Sequence, residues 1–442
     1  METPILDFVK EYASDHHVRL HMPGHKGRSV LGFEKYDITE ITGADSLYSP
    51  DGIIRRSEDN ASSLFGCPTY YSTEGSSQCI RAMLYLLLLH SGERTPLIAA
   101  GRNAHKTYVS GTSLLDIRTD WLCPEGGSYL SCNITPEYVD EYLSGTSEKP
   151  VAVYLTSPDY LGNTVNIGGI AEVCHRHGVL LAVDNAHGAY LRFLPESLHP
   201  MDLGADISCS SAHKTLPVLT GGAYLHVSAD APETIHQSVR SALAMFGSTS
   251  PSYLILASLD SANAFLESYK PILEKDIQTA AKLKEQLKIC GYTITGDEPL
   301  KLTIMPKSYG YTGTELAAEL EKLGLCCEFA DPDHLVMMLS ASLSENESLS
   351  ILDALRSIPR RDPIDVPPPD FSLPRTTMSA RDASLSPREV IDVNKACDRI
   401  LASVEVGCPP AVPIVVCGEM IDSTAIECMR YYNITECTVV KK

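Results

Sequence analysis

The sequence lacks any long hydrophobic run. Its longest lipophilic stretch, AMLYLLLLH from Ala82, is too short to cross a bilayer and follows a helical pattern. The amino terminus, METPILDFVKEYASDHH, has no apolar signal core. The fourteen cysteines are scattered and form no C-x-x-C pair, so they do not predict a disulfide framework. Together these absences predict a soluble protein of the reducing cytoplasm, without a membrane partner.

Basic residues are few, and no basic patch is present. The chain has 36 Lys and Arg against 56 Asp and Glu, which gives a formal net charge of −20. Such a surface repels phosphate backbones and anionic membranes, so a nucleic-acid partner is not expected. Neither a Walker motif nor G-x-G-x-x-G occurs. What the chain does have is a globular composition, 44% apolar over 442 residues, which predicts two or more domains.

Short apolar strands alternate with helix-length segments in the first half of the chain. Strands are predicted in PLIAA, VAVYLTSP, GVLLAVDNAHG, ADISCSS and GGAYLHV. This alternation is typical of an α/β fold with a mainly parallel sheet covered by helices. A smaller strand-helix-strand unit and a stiff spacer, DPIDVPPPDFSLP, follow. The predicted parts are an arm (1–40), a large domain (41–255), a linking helix with a small α/β domain (256–362), and the spacer with a C-terminal segment (363–442).

Two strands are followed by residues suited to covalent chemistry. Asp184 ends one apolar strand, and Lys214 lies thirty positions further on, after ADISCSS, which is about one crossover unit. Functional groups of parallel sheets gather at these strand ends. A lysine there is partly desolvated, which makes its amine a usable nucleophile toward an aldehyde. Taken alone, Asp184 also fits a helix N-cap, and Lys214 fits a loop lysine that reaches solvent.

A third element is a helix terminus suited to phosphate. Gly75, Ser76 and Ser77 precede a long helix and leave amides and hydroxyls at its positive end, although such residues also serve as simple caps. A lysine, an acid and this terminus together predict pyridoxal phosphate as the cofactor. His21 and His25 have the spacing of metal ligands, but an intervening Pro-Gly breaks the helix that would align them, so no metal site is predicted.

Several segments together carry a family resemblance. HMPGHKG, DITEITGADSLYSPDG, RNAHKTYVSG, VDNAHGAY, SSAHKTLPVLTGGAYLH and STSPSY, followed later by SLSPREV and PPAVPIVVCGEMI, resemble the Orn/Lys/Arg decarboxylase family of fold-type I pyridoxal phosphate enzymes. The resemblance implies an aspartate aminotransferase-like large domain and a homodimer with shared active sites. It also implies decarboxylation of a basic amino acid to its amine and CO2, as in polyamine biosynthesis. Arginine is preferred over lysine or ornithine because the compact chain resembles biosynthetic arginine decarboxylases.

The resemblance also implies residue roles. Lys214 would bind the cofactor aldehyde covalently, Asp184 would keep the pyridine nitrogen protonated, and His105 would stack on the ring. His187 would lie beside the cofactor, near the bond to Lys214. The cofactor-binding set is completed by phosphate contacts, from Gly75, Ser76, Ser77, Ser211 and His213, and from Ser248 and Thr249 of the facing subunit.

The phosphate loop departs from the family pattern. Glu74 and Cys79 stand where the family has an amide and a second glycine. Glu419, in CGEM, is a candidate for reading the cationic tail of the substrate, with a surface glutamate as the alternative. Two other functions stay open, namely a pyridoxal phosphate-dependent aminotransferase or β/γ-lyase, and a non-catalytic protein of the same fold.

Overall fold

The computed structural model describes residues 1–339, 343–404 and 410–442, so Pro409, the first residue of PPAVPIVVCGEMI, lies outside the described part. Among these residues no helix is both long and apolar enough to span a membrane. The α-helices are α1 (Pro4–Ser14), α2 (Ile53–Phe65), α3 (Gly75–Ser91), α4 (Lys106–Leu115), α5 (Pro136–Gly145), α6 (Ile167–Arg176), α7 (Ala212–Thr215), α8 (Glu233–His236), α9 (Val239–Phe246), α10 (Tyr253–Leu266), α11 (Tyr269–Ile289), α12 (Gly313–Lys322), α13 (Glu345–Ser357), α14 (Ala380–Leu385) and α15 (Ser423–Tyr431).

The strands are short and include the five that the sequence predicts. They are β1 (Thr69–Ser72), β2 (Leu97–Gly101), β3 (Arg118–Leu122), β4 (Ala152–Thr156), β5 (Leu180–Asp184), β6 (Ile207–Ser210), β7 (Ala223–Val227), β8 (Thr293–Thr295), β9 (Lys301–Met305), β10 (Phe329–Ala330), β11 (Leu335–Met338), β12 (Arg388–Asp392), β13 (Arg399–Ile400), β14 (Met420–Ile421) and β15 (Glu436–Val440). The chain divides into two compact units, which are described separately. The first is Met1–Gly92 with Leu180–Leu273, and the second is Glu93–Val179 with Glu274–Lys442.

The first unit contains four strands in the order β1-β7-β6-β5. The β5–β6 pair is parallel, whereas β7 runs antiparallel to both β6 and β1. Strands β6 and β7 are buried along their whole length, although β6 contains Ser208 and Ser210 and β7 contains His226. Helix α3 packs against β6, β7 and α9, and its buried residues form the cover of this sheet.

A buried carboxylate caps the start of the amino-terminal helix, α1. Asp260 in α10 accepts hydrogen bonds from the backbone N–H groups of Ile5 and Leu6 at 2.8 and 3.0 Å. The first N–H groups of a helix have no partner within the helix, so this carboxylate acts as a cap supplied from another element. Burial raises the pKa of Asp260 to about 6. The first unit thereby fixes the amino terminus on its own core.

The second unit contains a parallel set and an antiparallel set of strands. Strands β4, β2 and β3 are neighbours in that order, and both pairs are parallel. A four-stranded antiparallel sheet, β10-β11-β9-β8, forms a smaller α/β part with α12 beside β10 and β11. The last segment adds the pairs β12–β15 and β13–β14. The predicted α/β class with mainly parallel strands is confirmed.

Two buried histidines make the first unit sensitive to acid. His199 and His226 are both 0% exposed, with ring centroids 4.9 Å apart. Burial lowers the pKa of His199 from 6.5 to about 4 and lowers that of His226 as well. The unfolded chain takes up a proton near the ordinary pKa, whereas the folded chain resists it until the lowered pKa is reached. Stability therefore falls as pH falls through the window from 6.5 to about 4.

We expect that the contribution of one histidine, His199, to this loss of stability can be measured. Between about pH 7 and about pH 5, the free energy of unfolding of the wild type should fall by about 2 kcal/mol more than that of His199→Gln, which cannot titrate. Urea unfolding at both pH values measures the difference. His175→Gln, which replaces a histidine on the exposed side of α6, is the matched control and should keep the wild-type slope. Equal slopes for wild type and His199→Gln would contradict the assignment.

Candidate active site

Three strand ends meet at one edge of the sheet in the first unit. Because β1 and β6 both run antiparallel to β7, and β5 runs parallel to β6, the carboxyl ends of β1, β5 and β6 point the same way. Asp184 ends β5, α3 begins three residues after β1, and Lys214 lies in α7, directly after β6. The topology therefore brings the predicted acid, helix terminus and lysine to one edge.

Lys214 and His187 contact each other at this edge. The Lys214 Nζ atom lies 3.0 Å from His187 Nε2. A charged lysine has only donors, so Nε2 accepts this hydrogen bond and the neutral imidazole carries its proton on Nδ1. His187 is buried, and Lys214 is half-buried. The pair can hold a proton at either nitrogen, which suits a lysine that acts as a nucleophile.

Asp184 is buried beside two thiols. Its side chain is 1% exposed, and Oδ1 accepts hydrogen bonds from Ala186 N at 3.1 Å and from Cys209 Sγ at 3.6 Å. Burial raises the pKa of the Cys79 thiol to about 12 and also raises that of Cys209, and the negative charge of Asp184 adds to both shifts. Both thiols therefore stay neutral. A buried carboxylate among neutral neighbours favours a cationic group in its vicinity.

The residues predicted to bind phosphate lie at the amino terminus of α3. Gly75 opens the helix with φ of +72°, in the left-handed region that favours glycine. Ser76 and Ser77 follow in the first turn, and Ser211 Oγ donates to Ser76 Oγ at 2.8 Å. The first-turn N–H groups have no partner within a helix and lie at the positive end of its dipole. Hydroxyls and amides at this terminus can bind an anion.

His213 lies close to the same terminus, but its protonation state limits its role. A Cβ on Gly75 would lie 3.9 Å from His213 Cε1. The Nδ1 atom of His213 donates to the carbonyl oxygen of Gly222 at 3.0 Å. Burial lowers the pKa of His213, so the ring is mainly neutral near pH 7 and Nε2 is an acceptor. His213 can donate to an anion only after it takes up a second proton.

The segment that contains Ser248 and Thr249 also lies near the start of α3. Both residues are exposed, and Ser248 N donates to the carboxylate of Glu74 in the same chain. Gly247 has no room for a side chain, because a Cβ would lie 1.8 Å from the hydroxyl oxygen of Tyr48. Glu74, a departure from the family pattern, therefore has a structural partner. The predicted contact of Ser248 and Thr249 with a facing subunit stays a prediction.

Two polar residues that were not predicted from the sequence form hydrogen bonds at this edge of the sheet. Gln78 is 1% exposed, accepts from Ser72 Oγ at 2.6 Å, and donates to Tyr48 and to the carbonyl oxygen of Leu243. Asn185 follows Asp184 and donates to Ser210 Oγ at 3.0 Å, while its buried Oδ1 has no hydrogen-bond partner among the described residues. In the sequence, the sign that could have revealed Gln78 and Asn185 is a polar side chain at a buried position of an otherwise apolar pattern.

His105 belongs to the second unit. It is the N-cap of α4, where Nδ1 accepts from Thr107 N at 3.1 Å and lies 2.9 Å from Thr107 Oγ1. The neutral ring therefore carries its proton on Nε2. These contacts fix the orientation of a half-buried imidazole that follows the end of β2. Its predicted stacking on a cofactor stays a prediction.

The remaining candidates are engaged in structural contacts. Glu419 is 1% exposed and forms an ion pair with buried Arg102 at 3.2 Å, so the alternative of a surface glutamate is wrong. Arg102 also donates to the carbonyl oxygens of Pro413 and Ile414, each at 2.8 Å. In the amino-terminal arm, His21 is hydrogen-bonded to Tyr12 and His25 to Asp37.

Known proteins resemble this chain over most of its length. The chain is 30% identical to the arginine decarboxylase of Halalkalibacterium halodurans over 98% of this chain and 94% of that protein. It is also 30% identical to the arginine decarboxylase of Bacillus subtilis, over 95% of this chain and 91% of that protein. Among solved structures, the lysine decarboxylase of Francisella novicida matches with a TM-score of 0.81 and 16% identity, over 99% of this chain and 81% of that one.

The chain has the fold-type I α/β fold of this solved structure. The family model of the Orn/Lys/Arg decarboxylase major domain matches residues 3–295, and the chain belongs to this family. It is a decarboxylase of basic amino acids. The family, fold class and reaction type predicted from the sequence are confirmed.

Proposed function

We propose that this chain is a pyridoxal phosphate-dependent decarboxylase whose preferred substrate is arginine, rather than lysine or ornithine. The observation that carries the proposal is the meeting of Lys214, Asp184 and the amino terminus of α3 at one sheet edge. The relatives at 30% identity are arginine decarboxylases, which supports arginine as the substrate.

The residues at this edge fit pyridoxal phosphate. The half-buried amine of Lys214 suits an aldehyde, and the buried carboxylate of Asp184 suits a protonated ring nitrogen. Gly75 leaves the start of α3 without a Cβ, and the hydroxyls of Ser76 and Ser211 lie beside it. When bound, the cofactor would supply an electron sink for the bond broken in decarboxylation. Ser77, His213, Ser248 and Thr249 are proposed to complete the phosphate contacts, His213 in its protonated form.

The protein residues supply binding, orientation and proton movement. Asp184 holds a positive charge in place because its surroundings are buried and its two thiol neighbours stay neutral. Lys214 and His187 share a hydrogen bond of 3.0 Å, so a proton can be held at Nζ or passed to Nε2. His105 is proposed to stack its ring face on the cofactor, because the hydrogen bond from Thr107 to Nδ1 fixes the orientation of the ring. The catalytic residues of the proposal are therefore Lys214, His187 and His105.

A homodimer with shared active sites is part of the proposal. The arm exposes several large apolar side chains: Val18 is 83%, Leu20 88%, Val30 85% and Leu31 72% exposed. Apolar surface of this extent is typical of a contact with another chain. We also propose a cytoplasmic location, since the thirteen cysteines in the described part of the chain are free thiols. The domain boundaries near 40, 255 and 362 stay predictions.

A substrate assay tests the proposal. Protein purified with pyridoxal phosphate is incubated with arginine, lysine or ornithine, and both CO2 and the matching amine are measured. We expect equal amounts of the two products, and a kcat/KM for arginine about tenfold or more above that for the others. Absence of amine from all three would overturn the decarboxylase proposal. Amino-group loss that requires a keto acid and releases no CO2 would favour an aminotransferase instead.

A further inference from the structure

A buried amide lies directly after the proposed phosphate contacts of α3. The side chain of Gln78 is 1% exposed, and it follows Ser76 and Ser77 in the first turn of the helix. Burial of an amide costs free energy unless its polar atoms find hydrogen-bond partners. An apolar side chain would cover the same surface without that cost, so the partners of Gln78 indicate what the amide does at this position.

The partners of Gln78 determine which way its amide points. The carbonyl oxygen of Leu243 only accepts, so the group that faces it at 2.8 Å is Nε2, which also donates to the Tyr48 hydroxyl at 3.0 Å. Oε1 therefore faces Ser72 and accepts from its hydroxyl at 2.6 Å. Leu243 lies in the last turn of α9, where carbonyl groups have no partner within the helix. The amide thus connects the first turn of α3 to the end of β1 and to the end of α9.

These contacts are part of a closed ring of hydrogen bonds. Ser72 Oγ accepts from the backbone N–H of Glu74 at 3.1 Å, and the Glu74 carboxylate accepts from the backbone N–H of Ser248. Ser248 follows Leu243 by five positions, and Leu243 is hydrogen-bonded to Gln78, which closes the ring. These residues together form the Gln78 ring. It joins three segments of the first unit that are distant in the sequence.

The Gln78 ring is also closely packed against Gly247. A Cβ on Gly247 would lie 1.8 Å from the Tyr48 hydroxyl oxygen and 2.2 Å from Gln78 Nε2, so its backbone lies directly against this hydrogen-bonded pair. The backbone φ of Gly247 is −109°, which any residue can adopt, so glycine is needed here for space and not for its conformation. Packing as well as hydrogen bonds therefore holds the segment after α9 against Gln78.

We propose that Gln78 is a positioning residue for the phosphate of the cofactor and that it acts through the Gln78 ring. Residues 75–77 lie between two members of the ring, Glu74 and Gln78, and the hydrogen bond from Ser72 to Gln78 ties the two ends of this turn together. The ring therefore fixes the turn that presents the hydroxyls and amides of residues 75–77. Binding groups must be held within about 0.5 Å of their productive geometry, which requires supporting contacts of this kind. The inference rests on the proposed function, because the phosphate contacts belong to it.

Binding of two forms of the cofactor tests the positioning role without any substrate. The full chain, freed of cofactor, is titrated with pyridoxal phosphate and with pyridoxal, which lacks the phosphate, and each Kd is obtained from the visible absorbance. We expect the wild type to bind pyridoxal phosphate about a hundredfold or more tightly than pyridoxal, because hydrogen bonds to a charged group are strong. Gln78→Met keeps the length of the side chain and removes its polar atoms. It should lower this preference about tenfold and leave the Kd for pyridoxal almost unchanged.

The ratio of the two Kd values separates positioning from general damage to the fold. A variant that only loses folded structure loses affinity for both compounds, so its ratio stays at the wild-type value. Gly247→Ala crowds Gln78 without removing a polar group and should lower the ratio as Gln78→Met does. Gln237→Met is the matched control, because it makes the same substitution at an exposed glutamine of the first unit, and it should keep the wild-type ratio.

Turnover provides a second measurement. With saturating pyridoxal phosphate, Gln78→Met should keep kcat within about twofold, whereas the cofactor concentration that gives half-maximal activity should rise about tenfold. The reason is that Gln78 donates to Tyr48 and Leu243 and not to the reacting groups. A wild-type preference for pyridoxal phosphate that both Gln78→Met and Gly247→Ala retain would overturn the role of Gln78 alone. A wild type that binds both compounds equally would instead refute the phosphate site, and with it the proposed function.

Discussion

Lys214→Ala is expected to lower turnover by about 10⁴-fold or more, because it removes the nucleophilic amine of the proposed site. Lys214 is the lysine at the sheet edge where β1, β5 and β6 end, and its Nζ contacts His187 at 3.0 Å. Alanine keeps the helical backbone of α7 but offers no group that bonds to an aldehyde. The same variant should therefore lose the covalently held cofactor. Product formation and visible absorbance, measured on the same preparation, check both results.

A covalent readout separates loss of the amine from loss of folding. Borohydride reduction of the wild type with pyridoxal phosphate should fix the cofactor on the peptide that contains Lys214. The matched control is Lys282→Ala, which removes an exposed lysine of α11 and should retain both turnover and labelling. Circular dichroism should show equal helix content for both variants. Labelling of another lysine in the wild type, or turnover near the wild-type value in Lys214→Ala, would refute the assignment of this residue.

The buried strands could be predicted because burial leaves a clear pattern. Strands β2 and β5 lie almost entirely inside the protein and read as the apolar runs LIAAG and LLAV, each followed by a polar residue. Strands β1 and β3 were missed. The four residues of β1 are all Thr, Tyr or Ser, and β3 contains Arg118 and Asp120 on exposed positions. Short or edge-like strands with polar residues carry too little pattern to be distinguished from loops.

Only those residues of the site that come directly after a strand could be predicted from the sequence. Asp184 and Lys214 each follow an apolar run, so topology alone brings them to one edge. Gln78 was missed because its partners, Tyr48 and Leu243, come from distant segments. Glu419 shows the same limit, because its ion pair joins it to Arg102, more than three hundred positions away. Such contacts depend on tertiary packing, which a single sequence does not display.

Asp184→Asn is expected to lower kcat by about 10²–10³-fold while the fold is retained. An amide has nearly the shape of the carboxylate, and its oxygen can still accept the hydrogen bonds from Ala186 N and Cys209 Sγ. It carries no negative charge, however, and so it cannot hold a cationic ring nitrogen in a buried site. The cofactor should remain attached through Lys214. The variant should thus show labelling like the wild type together with this reduced turnover.

A second buried aspartate provides the control for this charge. Asp206 lies at the opposite end of the β5–β6 pair, where its carboxylate accepts from Leu181 N at 2.7 Å. Asp206→Asn removes a buried negative charge from the same strands without touching the edge that holds Lys214. It should therefore keep kcat within about twofold, even if it lowers the urea midpoint. If both variants lose activity equally, the effect reflects general damage to the sheet. A large loss in Asp184→Asn alone assigns the electrostatic role to position 184.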